Sequence, residues 1–157
     1  PNLNMLGKRD PDVYGTDTLE DILGDVAEQF PDCTFGHFQS NHEGAILDRL
    51  QQAMEEEFEG IIINGGALTH YSYALRDALE MHSIPKIEVH ISHIFAREKF
   101  RHTSVISPAC NALFSGLGND GYSPAVLALL KKKGEIFLAA SRLSVRIYSR
   151  QDAKTPR

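Results

Sequence analysis

Apolar positions recur at two spacings along this chain, and the alternation between them sets the expected architecture. Leu19, Ile22, Leu23, Val26 and Phe30 fall at helical spacing and predict an amphipathic helix. Thr18, with Asp21 three residues on, marks its start as an imperfect capping box, and Pro31 ends it. Ile46, Leu47, Leu50 and Met54 share one face of a second helix, predicted over Glu43–Glu57 and broken at Gly60. Ile61-Ile62-Ile63 is an unbroken apolar run and predicts a strand covered on both faces. Ser72–His82 reads as a helix that stops before Pro85, and Ile87–Ile91 as the next strand. Residues 92–111 form a long polar connection with a helical turn around Ala96–Phe100. Ala112–Leu117 suits a last strand and Tyr122–Lys133 a last helix. Phe35–Gln39 is a further short strand candidate, and residues 1–17 read as a loop punctuated by Gly7, Pro11 and Gly15.

Strands alternating with helices imply an α/β fold, a parallel sheet sandwiched between helices. Ligands of such sheets collect at the carboxyl ends of the strands, here Asn64 and the segment after Ile91. A length of 157 residues fits one domain, and 42% hydrophobic residues suffice for a core without a metal or disulfide staple. Residues 1–134 are read as that domain. In the extension 135–157, Glu135–Ala140 is apolar enough to pack, and beyond it Arg142, Arg146, Arg150, Lys154 and Arg157 stand against only Asp152, the composition of a solvated basic tail. The net charge of −5 argues against a nucleic-acid partner. Cys33 and Cys110 match no zinc or redox spacing and read as small buried residues of a reducing compartment. No run reaches the ~18 apolar residues of a membrane span, and no secretory signal is visible. A cytoplasmic protein with no membrane partner is expected.

Several residues could carry chemistry, each with a plainer structural reading beside it. Tyr14 lies among turn residues after Arg9. A phenol ionises near pH ~10 in water and becomes a base near neutrality only where cations stabilise its phenolate. Arg9 is close in sequence, and Arg97 or Arg101 could approach in space. Glu88 and His90, two apart on a strand, point to the same face. A carboxylate there orients the imidazole and fits it for general-acid work; a satisfied histidine at a strand end is the alternative. Arg97 and Arg101, four apart, would share one side of a helical turn, as surface ion pairs or as a clamp for a carboxylate. Asn64, His70 and Asp77 follow one strand into the next helix and suit either hydroxyl recognition or turn and capping roles. Glu88, His90 and His93 offer a poor metal set, because the histidines flank an Ile-Ser turn and no further ligand stands out. Gly116-Leu117-Gly118-Asn119-Asp120-Gly121 fits G-x-G-x-x-G. It lies in the last βα unit, however, and Ile136–Gln151 offers no acid for a ribose, so a tight turn with close helix packing is expected.

The order and wording of these groups resemble the type II 3-dehydroquinate dehydratases. Pro1-Asn2-Leu3-Asn4-Met5-Leu6-Gly7-Lys8-Arg9, Pro11 and Val13-Tyr14-Gly15 look like that family's mobile loop. Phe38-Gln39-Ser40-Asn41-His42-Glu43-Gly44 is similar to its next motif. Ile62-Ile63-Asn64, Gly66-Ala67-Leu68-Thr69-His70 and Ala74-Leu75-Arg76-Asp77-Ala78 resemble another. Ile87-Glu88-Val89-His90-Ile91-Ser92, Ala96-Arg97-Glu98 and Phe100-Arg101-His102 complete the active-site set, with Gly116-Leu117-Gly118 and Gly121-Tyr122 as the closing turn.

The resemblance runs to about residue 133. It implies a flavodoxin-like fold, a dodecamer built as a tetramer of trimers, and reversible dehydration of 3-dehydroquinate to 3-dehydroshikimate with no cofactor, metal or Schiff-base lysine. It implies Tyr14 as base, Arg9 stabilising the developing charge, Arg97 lowering the tyrosine pKa and Asn2 holding a water on the enolate oxygen. His90, oriented by Glu88, would be the acid. Asn64, His70, Ile91, Ser92 and Arg101 would bind substrate, and Asp77 would act across a subunit contact. Departures are the absence of the family's apolar opening strand before Pro1, His93 for the usual asparagine, Phe95 for histidine, Tyr71 and Tyr73 for smaller residues, and Gly65 for proline or alanine. The alternative is a noncatalytic binding protein on the same fold.

Overall fold

The structure, a computed structural model, describes residues 1–8 and 15–132. Arg9, Tyr14 and the extension 135–157 lie outside the described residues. Four helices and three strands follow in the order α1 Leu19–Gln29, α2 Glu43–Ala53, β1 Ile61–Ile63, α3 Tyr73–Glu80, β2 Lys86–His90, β3 Ala112–Ser115 and α4 Tyr122–Lys132. The sheet is parallel in the order β1-β2-β3. Register places Ile63 beside Glu88 on one side and Ser115 beside His90 on the other.

Side chains alternate across β2. Ile87 and Val89 pack against Ala125 of α4, whereas Glu88 and His90 face the opposite side. That side is the larger core, where Leu50 of α2 and Leu75, Ala78 and Leu79 of α3 meet Ile63 and Ile106. Helices therefore cover both faces, giving the three layers of the flavodoxin-like fold.

Local chemistry explains the helix limits. Thr18 and Asp21 form a full capping box: the Thr18 hydroxyl accepts the Asp21 amide at 3.2 Å and the Asp21 carboxylate accepts the Thr18 amide at 2.9 Å. Helix α2 stops at Ala53, four residues before the predicted end. Glu55, Glu56 and Glu57 would otherwise crowd the negative end of the helix dipole; instead Glu56 turns back onto Arg49 at 2.8 and 3.0 Å. Ser72 caps α3 by accepting the Leu75 amide at 2.9 Å. Strand β2 begins and ends one residue earlier than predicted, with all five residues buried.

Three expectations are corrected. Phe35–Gln39 is not a strand; it is irregular and mostly exposed, and it lines a groove of about 730 Å³ together with Ile62 and Ile63. The edge of β1 away from β2 has no strand partner among the described residues. Phe35–Gln39 is not paired with that edge among the described residues. Ile61 and Ile62 are only half-buried, not covered on both faces. Cys33 and Cys110 are half-buried rather than buried. No helix among the described residues is long and apolar enough to cross a membrane.

Candidate active site

The carboxyl ends of β1 and β2 carry the polar residues that the sequence singles out. The opening turn sits over them: Leu6 packs with Ile22 and Ile91, and Pro1 lies against Gly66, where a Cβ would come 3.2 Å from the Pro1 carbonyl. Asn2, in the left-handed region at φ 65°, is held by its amide on Asn41 Oδ1 at 2.7 Å. Gln39 bridges Asn4 and Asn41, both at 3.2 Å. The Gln39–Asn41 motif is thus an anchor for the turn that carries Asn2. At the other end of the loop, Asn119 donates to Asp17 at 2.8 Å.

Asn64 leaves β1 with both ends of its amide engaged, accepting from the Gly66 amide at 3.2 Å and donating to the Tyr122 hydroxyl at 3.0 Å. Burial pushes the Tyr122 phenol up, with the Asn64 hydrogen bond opposing. On β2, His90 Nε2 lies 2.7 Å from Glu88 Oε1. Glu88 is fully buried and His90 nearly so. Burial works to raise the Glu88 carboxyl, yet hydrogen bonds from His90, Ser107 and Ser104 together with the imidazole's charge outweigh it and hold the group below the usual carboxylate range. An ionised Glu88 only accepts, so His90 Nε2 carries a proton toward it and Nδ1 is left for exchange. His90 Nδ1 makes no hydrogen bond among the described residues.

His70 stacks on His90 with ring centroids 6.3 Å apart. Its Nδ1 donates to the Thr103 carbonyl at 2.8 Å, and the Phe100 ring meets it edge-on at 5.8 Å. Arg101 stacks its guanidinium over Phe100 at 4.6 Å. Arg97 donates to the Ser92 hydroxyl at 3.1 Å. The two arginines do not share one side of a helical turn as predicted. Separate 3₁₀ turns, Ile94–Ala96 and Lys99–His102, leave Arg97 extended between them. Both arginines meet Glu98, Arg101 at 2.8 Å and Arg97 at 3.4 Å. The substituted positions His93 and Phe95 form an edge-on pair, and Phe95 leans on His102, making an aromatic rim.

The structure therefore gathers Glu88, His90, Ile91, Ser92, Arg97, Arg101, Asn64 and His70, with Asn2 over them. Asp77 stands apart, on the exposed face of α3, and no hydrogen bond or ion pair joins its side chain to this group among the described residues. Glu88, His90 and His93 do not converge as a metal set; no group of three His, Cys, Asp or Glu side chains among the described residues does. In the closing turn, Gly116, at φ +85°, would also place a Cβ 2.7 Å from His93 Cβ, whereas Gly118 has open space and is set by its φ of +61° alone. Ser104, Ser107 and the Tyr122 hydroxyl were not singled out from sequence, because nothing local distinguishes loop serines or a helix-start tyrosine.

The arrangement sets a buried imidazole, held by a carboxylate, beside two arginines and a second histidine. The Dehydroquinase class II family matches residues 1–130. The 3-dehydroquinate dehydratase of Bacillus licheniformis is 56% identical over 130 residues, covering 80% of this chain and 88% of the relative. The Bacillus subtilis protein of that name is 50% identical over 139 residues, covering 85% and 91%. The crystal structure of type II dehydroquinase from Butyrivibrio crossotus superposes with a TM-score of 0.80 at 48% identity, over 82% of this chain and 91% of that one. The Propionibacterium acnes type II dehydroquinase gives 0.79 at 38% identity, over 83% and 91%. With the family match spanning residues 1–130 and a relative 56% identical over four-fifths of its length, the chain belongs to the class II dehydroquinase family.

Proposed function

We propose that this chain is a 3-dehydroquinate dehydratase, a hydro-lyase that converts 3-dehydroquinate to 3-dehydroshikimate and water through an enolate. The observation that carries the reading is the buried Glu88–His90 pair, locked at 2.7 Å through Nε2, at the mouth of the sheet. The names of the relatives leave the noncatalytic alternative without support.

Tyr14, as phenolate, takes the proton beside the ketone, and its electron pair becomes the enolate. Arg9 stabilises the charge, and Arg97 lowers the phenol's pKa through its own positive charge. Asn2 presents a water to the enolate oxygen, preorganised electrostatic stabilisation in place of a metal or iminium. Collapse of the enolate expels the β-hydroxyl, which His90 protonates from Nδ1, so that water leaves and the enone remains. Asn64, His70, Ser92, the Ile91 backbone and Arg101 bind the substrate's hydroxyls and carboxylate. Bidentate geometry suits Arg101 to the carboxylate. We further propose a cytoplasmic dodecamer, a tetramer of trimers, in which Asp77 reaches the site of a neighbouring subunit. Its outward position on α3 supports that role.

The test is absorbance in the enone band after 3-dehydroquinate is added, with chelator present and after borohydride treatment. Turnover that survives both is expected; none from a folded protein refutes the reading. Tyr14→Phe and His90→Ala should each lower kcat by about 10²–10⁴-fold, the usual contribution of a general base or acid, with the oligomer intact. Near-normal kcat in either removes that residue's role.

A further inference from the structure

Three side chains donate to Glu88, and only His90 belongs to the dyad; Ser104 and Ser107 do not. Ser104 Oγ lies 2.9 Å from Oε1 and 3.0 Å from Oε2. Ser107 Oγ makes a short bond to Oε2. The direction of these bonds is fixed. Ser104 Oγ also accepts the Ser107 amide at 3.0 Å, so its one hydroxyl proton points to the carboxylate. With His90 donating to Oε1, Ser107 to Oε2 and the single Ser104 proton shared between the two, three donors surround the carboxylate, the environment in which a buried carboxylate stays ionised.

We propose that Ser104 and Ser107 are positioning residues for the acid, their hydroxyls holding the Glu88 carboxylate in the charge state and rotamer that direct the His90 proton to Nε2 and leave Nδ1 for the leaving group. This rests on His90 being the acid. The same segment serves the neighbouring imidazole. Thr103 accepts from His70 Nδ1, and the Val105 amide donates to the Thr69 carbonyl at 2.8 Å. Residues 103–107 thus strap both stacked histidines into register.

The charged and titratable groups around Glu88 single out the serines. On its own strand stand His90 and Lys86, whose ammonium is taken up by the His82 carbonyl. The connecting segment brings the Cys110 thiol, pushed up to about 12 chiefly by burial and secondarily by Glu88 itself. His70 lies beyond His90. The register partners Ile63 and Leu113 carry no charge. Apart from His90, the serine hydroxyls are the groups that donate hydrogen bonds to the carboxylate.

The experiment compares Ser104→Ala, Ser107→Ala and their double variant with His90→Ala, measuring kcat, KM and the titration of the Glu88 carboxyl by ¹³C NMR, assigned with Glu88→Gln. Each serine variant should lower kcat on the order of tenfold, as loss of a hydrogen bond to a charged group does, with little change in KM. The Glu88 titration should move to higher pH, which a merely structural role would not cause. An inactive His90→Ala beside folded serine variants with unchanged kcat and unchanged Glu88 titration overturns this proposal and leaves the reading of His90 standing. A fully active His90→Ala overturns both. Should an alanine variant fail to fold, Ser107→Cys and Ser104→Cys, which keep the volume with a much weaker donor, are read by the same criteria.

Discussion

Glu88 sits in the middle of the central strand with no exposed surface, and is nonetheless held as a carboxylate. Its depressed pKa links stability to pH with a definite sign. The group contributes stability above its unfolded value near 4.5, and that contribution is lost as pH falls through the lower folded value. Urea-unfolding midpoints should therefore drop below about pH 4.5 in the wild type, and drop less in Glu88→Gln, which has no charge to neutralise. Equal slopes in the two proteins would show that Glu88 is not depressed. At neutral pH the same variant should lower kcat by on the order of 10²-fold through the misdirected His90 proton. The dyad itself was legible because residues two apart on a strand share a face. Its serine partners were not: the contacts span 16 and 19 residues, and the Tyr122–Asn64 bond spans 58. No local pattern encodes such pairings.

Periodicity located the elements and capping chemistry set several of their ends. Thr18 and Ser72 mark helix starts because their hydroxyls meet backbone amides within one turn. Two element-level readings failed for one reason, which is that a neighbour decides. Phe35–Gln39 has strand composition but no strand partner among the described residues, and the two arginine turns are split by the demands of Ser92 and Glu98. The closing turn, in contrast, is fixed by its own glycines. Gly116 combines φ +85° with a Cβ site 2.7 Å from His93. Gly116→Ala should cost at least about 1–2 kcal/mol from the left-handed backbone alone, and more because His93 must shift. Thermal melts should show a lower Tm without any dinucleotide effect on either protein. Stabilisation of the wild type by millimolar dinucleotide would revive the nucleotide reading of this motif.

At the scale of the whole molecule, the outward face around α3 is the feature a single chain leaves unused. Tyr71 and Tyr73 are 61% and 63% exposed, large aromatic surfaces of the kind that subunit contacts bury. Asp77 is exposed on the same helix, without a hydrogen bond or ion pair to the cluster of its own chain among the described residues. An assembly resolves this if the face of one subunit abuts the site of the next. The consequence is specific. Asp77→Ala chains keep an intact His90 and damage a neighbour's site, whereas His90→Ala chains damage their own. When the two impaired proteins are unfolded, mixed in equal amounts and reassembled, about a quarter of all sites should combine an intact His90 with an intact Asp77 from the adjoining chain. Turnover should then rise above the mean of the two parents. Controls in which each variant is reassembled alone should show no gain. If mixed and separate assemblies, matched in size by sedimentation, turn over at the same average rate, Asp77 acts within its own chain or not at all. The exposed tyrosines would then need a different partner.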